Sequence, residues 1–172
     1  LLAADAGAGV LYLVDADTLV ASVAQGQNGE LLAAGLPSLS SADASSLLGG
    51  AIAAGVPHTG RLGEREITEL GLDALMTAPG VRHGVAVPLL NRQHQRVGAM
   101  LLLRDTAIEP AQVSFVKALS GSAASSLETR ELIKAQKALF EAFIQLIAGA
   151  IDAKSPYTGG HCARVPELTK ML

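Results

Sequence analysis

The residues best suited to chemistry lie in the last stretch of the chain, IDAKSPYTGGHCARVPELTKML (residues 151–172). This stretch looks like the opening of a metal-dependent catalytic site, because it contains Asp152, Lys154 and His161 in that order. Divalent ions bridged by His and Asp generate hydroxide at neutral pH and bind phosphate oxygens, which makes in-line attack feasible. One imidazole cannot do this. For a chain with these boundaries we prefer the plainer interpretation of His161, a half-exposed histidine near a helix start that binds metal weakly.

The same stretch resembles the start of an HD-GYP domain, a family of HD-superfamily phosphodiesterases that hydrolyse cyclic di-GMP. The likeness rests on Asp152-Ala-Lys154, Tyr157-Thr158-Gly-Gly-His161 and Arg164-Val165. It implies that His161 is a metal ligand in the complete domain, that Asp152 and Lys154 lie around that site, and that the metal is iron or manganese. The remaining ligands would lie beyond Leu172. We therefore expect no cofactor and no enzymatic activity in this chain itself, within a parent protein that is a metal-dependent cyclic-dinucleotide phosphodiesterase.

A long helix must precede this motif, because no proline occurs between Pro110 and Gly149. Roughly 40 residues at ~1.5 Å each give about 60 Å, more than one small domain needs. Leu132, Leu139 and Leu146 recur every seven residues, with Phe143 between the last two, which is typical of a short coiled-coil seam. A helix that runs beyond its domain must bury its apolar stripe elsewhere. We therefore predict a homodimer formed through this helix.

The segments before the helix alternate between strand and helix patterns. Residues 9–25 and 84–105 each predict two strands joined by a polar turn, because apolar runs flank Asp15-Ala-Asp17 and Asn91–Arg96. Residues 38–57 and 65–76 predict two short helices, since apolar residues recur there at helical spacing.

This ordered set resembles a GAF domain. The residues that carry the likeness are GVLYLVD at 9–15, GVAVPLL at 84–90, RVGAMLLLRD at 96–105 and FVKALSGSAASSLE at 115–128. The resemblance implies an α+β fold, with the terminal helices on one face of an antiparallel sheet and a small-molecule pocket on the other. Leu1–Ala6 would end a truncated first helix. The implied domains are a sensor domain (1–130), a signalling and dimerisation helix (131–153) and the start of an HD-type domain (154–172).

The ligand of such a pocket is left open by the sequence. His58 and His83 are candidate haem ligands, with His94 in the hairpin loop as a weaker one, while Arg61 and Arg82 could meet an anionic ligand. No cysteine lies in residues 1–130, which disfavours covalent bilin attachment. The principal hypothesis is a sensor that signals to the HD-GYP domain. The alternatives are a ligand-free GAF dimerisation module and a haem-binding sensor.

Composition narrows the possible partners. A formal net charge of -3 and a pI near 5.8 give no basic footprint for nucleic acid. The most apolar helical run, ALFEAFIQLIAGAI, contains Glu141 and Gln145 and is too short to span a bilayer. Cys162, the single cysteine, excludes an intramolecular disulfide and fits a reducing compartment. We therefore predict a cytoplasmic protein, without a membrane span in this chain.

Overall fold

The computed structural model describes residues 7–26, 35–41, 43–76 and 82–154, apart from the side chain of Asp152. These residues form a six-stranded sheet with helices packed on both of its faces. The strands are β1 (Ala8–Asp15), β2 (Thr18–Gln25), β3 (Leu39–Ser40), β4 (His58–Leu62), β5 (Arg82–Leu90) and β6 (Arg96–Arg104). The helices are α1 (Leu47–Ala54), α2 (Glu64–Glu69) and α3 (Pro110–Lys154), with a 3₁₀ turn at Leu72–Leu75.

The sheet has the strand order β3-β2-β1-β6-β5-β4, and every neighbouring pair is antiparallel. The two strands at its centre, β1 and β6, are joined with Val10 opposite Leu101. Both predicted strand pairs are confirmed. The turn between β5 and β6 forms locally, because Oδ1 of Asn91 accepts hydrogen bonds from the backbone N–H groups of Gln93 (3.0 Å) and Gln95 (2.8 Å).

Side chains alternate between the two faces of each strand, so one sheet supports two separate apolar cores. On one face, Leu101 and Leu103 of β6 pack with Leu48 and Ile52 of α1. On the other face, Val85 and Val87 of β5 and Leu102 of β6 pack against the start of α3. The residues of α3 that complete this second core are Val113 and Val116.

The helices of the first face are shorter than predicted. In residues 38–57 only Leu47–Ala54 is helical, because Oγ of Ser46 accepts a hydrogen bond from the Gly49 N–H (3.0 Å) and starts the helix there. In residues 65–76 the α-helix stops at Glu69. Gly71 then takes φ 67°, a left-handed conformation that suits glycine and separates α2 from the 3₁₀ turn. The predicted first helix at Leu1–Ala6 lies outside the described residues.

The predicted long helix is present as α3, which continues through Gly149. The chain divides into two compact units, Leu1–Ser126 and Leu127–Leu172, so that α3 contributes to both. In the second unit the heptad leucines are largely exposed: Leu132 is 64% exposed, Leu139 73% and Leu146 70%. No helix within the described part of the chain combines the length and hydropathy needed to cross a membrane.

Candidate functional site

A cavity of about 310 Å³ lies on the sheet face that carries α1 and α2. It sits between the turn that precedes α1, the helix α2 and strand β6, and its volume falls at the lower end of the range usual for small-molecule sites. Its apolar lining consists of Leu39, Leu47, Leu48, Leu62, Leu70 and Leu101. Its polar lining consists of Asp43, Ser45, Ser46, Glu66 and Glu69.

The turn before α1 supplies one side of the polar rim. Oδ1 of Asp43 accepts hydrogen bonds from the backbone N–H (3.1 Å) and the hydroxyl of Ser45, and the hydroxyl of Ser46 donates to the Asp43 carbonyl oxygen (2.9 Å). The Ser45 hydroxyl, followed by the Ser45 N–H, lowers the pKa of Asp43 below its ordinary value. The same residues that start the helix therefore present a charged carboxylate at the cavity.

The helix α2 supplies the opposite side of the rim. Oε2 of Glu66 accepts a hydrogen bond from the Gly63 N–H (2.8 Å), which anchors the carboxylate at the first turn of the helix. Glu69 pairs with Arg65 one turn earlier, with Nε and Oε1 2.8 Å apart, and both side chains are largely exposed. The pKa of Arg65 is raised by its hydrogen bond to Glu69 and by the carboxylate charge.

The structure places the four pocket candidates from the sequence outside the lining of this cavity. His58 and Arg82 lie on the same sheet face as the cavity, since their cross-strand partners, Ala86 and Leu62, belong to that core. His58 packs against α1: a Cβ added at Gly50 would lie 2.8 Å from its Nδ1. The lining described here therefore supplies no imidazole to a haem.

Arg61 and His83 lie on the other face of the sheet. They are directly paired across β4 and β5, and His83 is two residues before Val85, which packs toward α3. Arg61 is exposed and His83 is half-buried.

Arg82 is buried and forms an ion pair with Asp105. Its Nε lies 3.0 Å from Oδ1 of Asp105, and its side chain is only 9% exposed while that of Asp105 is 64% exposed. This ion pair ties the start of β5 to the residue that follows β6.

The residues of the terminal motif lie at the end of the described part of the chain or beyond it. His161 lies outside the described residues. Asp152 belongs to α3, and Lys154 is the exposed last residue of that helix. Within the described ranges, no group of three or more His, Cys, Asp or Glu side chains is arranged to hold a metal ion.

The polar rim was not predicted as a site from the sequence. Ser and Asp are residue types that cap helices, and residues 38–57 contain several of them before Leu47. Glu66 and Glu69 fall within the helix predicted at residues 65–76. A local signal for the turn was therefore present. Nothing local places Asp43 and Glu66 around the same cavity, because they come from different elements.

Comparisons with protein-family models and with curated sequences gave no match. Among solved structures, the chain is similar to the crystal structure of the A. Aeolicus nlh2 GAF domain in an inactive state. The TM-score is 0.52 and the identity 11%, over 73% of this chain and 75% of that chain. The chain has a GAF-like fold. At this identity the similarity concerns the fold alone. Within the GAF-like fold, the cavity and the start of α3 occupy opposite faces of the sheet, as the sequence resemblance implies.

The core beside the cavity contains a buried phenol, Tyr12 of β1, which is fully inaccessible to solvent. Its hydroxyl makes no hydrogen bond within the described part of the chain. Burial raises its pKa to about 12 from 10.0. Because the pKa of Tyr12 is higher in the folded state than in the unfolded state, folding favours the protonated phenol. The part of the free energy of unfolding that depends on this protonation is fully present below pH 10 and is lost as the pH rises toward 12.

We expect the Tyr12→Phe variant to lose less stability than the unmodified protein between pH 10 and pH 12. A difference of two pKa units corresponds to about 2.7 kcal/mol in the free energy of unfolding. Urea unfolding at pH 8 and at pH 11.5 measures this change, and the Tyr157→Phe variant is the control, since it removes the other tyrosine. An identical pH dependence in the Tyr12→Phe variant and in the control would show that the phenol does not titrate in this way.

Proposed function

We propose that this chain is the regulatory sensor module of a bacterial-type signalling protein. A small molecule binds in the cavity between α1 and α2, and α3 transmits the resulting change to an HD-GYP cyclic di-GMP phosphodiesterase domain. The chain itself acts by binding and not by catalysis. The observation that carries the proposal is that a single strand, β6, contributes side chains both to the cavity and to the core beneath α3.

The alternation of β6 provides the physical link. Leu101 lines the cavity, whereas its neighbours Met100 and Leu102 pack toward Val113 and Val116 of α3. Close-packed protein interiors have low compressibility, so a displacement of one side chain is passed on to the side chains packed against it. A ligand that fits one arrangement of Leu101 better than another therefore shifts the population of α3 conformations.

The apolar stripe of α3 supports pairing with a second copy of the chain. Leu132, Leu139 and Leu146 occupy one heptad position, and Ile133, Phe140 and Ile147 occupy the next. All six are exposed, by 43% to 73%. Ala135, Ala142 and Gly149 flank the stripe at heptad spacing and allow close approach of another helix. No charged residue lies between Phe143 and Ile147. Identical copies match such a pattern heptad by heptad.

The proposed output rests on the terminal motif. Residues 151–172 resemble an HD-GYP opening and directly follow the paired stripe in sequence. A change in helix packing would therefore reach the first metal ligand of that domain, which the resemblance assigns to His161. The ligand-free dimerisation module is the alternative to this proposal.

Native mass spectrometry of the purified chain distinguishes these two functions. We expect a small molecule to copurify with the unmodified protein and to be absent from the Leu70→Trp variant, because an indole at this half-buried lining position fills part of the cavity. The matched control is Val56→Trp, which adds the same side chain at an exposed position outside the lining. Absence of any bound molecule from all three proteins would favour the ligand-free module.

A further inference from the structure

The charge of the cavity rim restricts what the cavity can hold. The lining combines six leucines with three carboxylates and two hydroxyls, and it includes no Lys, Arg or His from the described part of the chain. The apolar floor favours a hydrophobic ligand body. The rim determines which charge that body can carry.

Two of the three carboxylates are held by neutral donors. Asp43 accepts hydrogen bonds from Ser45, and Glu66 accepts one from the Gly63 N–H. Neutral donors orient a carboxylate while its negative charge remains. The third, Glu69, is paired with Arg65, so the three carboxylates outnumber this one neighbouring cation. The rim is thus anchored in position and negative.

We infer that the cavity takes an organic cation, an ammonium group attached to an apolar body, and excludes anions such as nucleotides. This inference rests on the proposed function, because it specifies the ligand of the same cavity. The ammonium group lies at the rim between the turn of Asp43 and the helix that carries Glu66, and the apolar body contacts the leucines. The absence of cationic side chains from the described lining leaves an anionic group without a cationic partner at this site.

The test uses three probes with one apolar body: 4-phenylbutylammonium, 4-phenylbutanol and 4-phenylbutyrate. Their affinities for the full chain are measured by protein-observed NMR titration at pH 7 and low ionic strength. One unit charge at about 4 Å changes affinity about fivefold in a water-like medium. We therefore expect the ammonium to bind at least fivefold more tightly than the alcohol, and the carboxylate at least fivefold more weakly.

The Glu66→Gln variant assigns this preference to the rim. Glutamine keeps an acceptor for the Gly63 N–H, so the helix start is preserved while the charge is removed. We expect about a fivefold loss of ammonium affinity and no loss of alcohol affinity. Glu64→Gln is the matched control, because it removes an exposed carboxylate from the same helix outside the cavity lining and leaves the preference unchanged.

Each outcome decides the inference. Equal affinities for the three probes, preference for the carboxylate, equal effects of the two variants, or no binding of the ammonium would overturn it. The proposed function is judged separately by the copurified molecule and the Leu70→Trp variant. An anionic copurified molecule that Leu70→Trp removes would preserve the sensor and reject the cation.

Discussion

Replacing Gly98 with alanine lowers the free energy of unfolding by about 2 kcal/mol, as expected for overpacking at a site where backbones approach closely. Gly98 lies in the central strand β6, opposite Leu13 of β1. A Cβ added there would lie 2.3 Å from the carbonyl oxygen of Tyr12, which belongs to the backbone and cannot rotate away. Relief requires β1 and β6 to separate locally. Urea unfolding followed by circular dichroism measures the change.

The same substitution at Gly121 is the matched control and has the opposite sign. Gly121 is exposed within α3, and a Cβ there would meet no atom within 4 Å. Alanine is favoured over glycine in a helix interior by about 1 kcal/mol. We therefore expect Gly121→Ala to stabilise the protein. Similar effects of the two variants would mean that the tight contact between β1 and β6 is relieved without cost.

Replacing Leu139 with aspartate weakens the proposed self-association by at least about a hundredfold. Burial of one leucine side chain contributes roughly 1.5–3 kcal/mol, and a symmetric pair of helices loses two of them. The variant also places two carboxylates in an apolar seam. Leu139 is 73% exposed in the single chain, so its replacement has little effect on the fold of the monomer. Sedimentation velocity over a range of concentrations measures the association.

Ala138→Asp is the control for this prediction. It adds the same charge to the neighbouring exposed position of α3, outside the heptad stripe. We expect its dimer dissociation constant to stay close to that of the unmodified protein. Equal weakening by the two variants, or a chain that remains monomeric at every concentration, would contradict pairing through Leu139.

The helices and strands that depend on residues close together in the sequence could be predicted from it. The hairpin of β5 and β6 follows from two apolar runs around a polar turn, and the turn is closed by the side chain of Asn91, which needs only its own neighbours. The long helix α3 follows from the absence of proline between Pro110 and Gly149. The GAF-like order of elements, and hence the α+β fold, was accessible because it is the sum of such local patterns.

The face on which a strand residue lies depends on register, which local patterns do not fix. A shift by one residue moves every side chain to the opposite face. The pairing of Arg61 with His83 places both on the α3 side, although their residue types suggested a ligand pocket. Arg82 lies on the cavity side, where Asp105, a residue beyond the adjacent strand, forms its ion pair.

The sequence by itself determined the four strands of the two hairpins, the long helix and the Ser-containing capping segment before Leu47. Only the tertiary structure decided that the Asp43 turn and the Glu66 helix enclose one cavity above Leu101. Capping is a contact between residues three positions apart, so the sequence contains it directly. A cavity is the space left when separate elements pack on a sheet, and its lining is determined by the register and crossing of those elements, which are long-range properties of the whole chain.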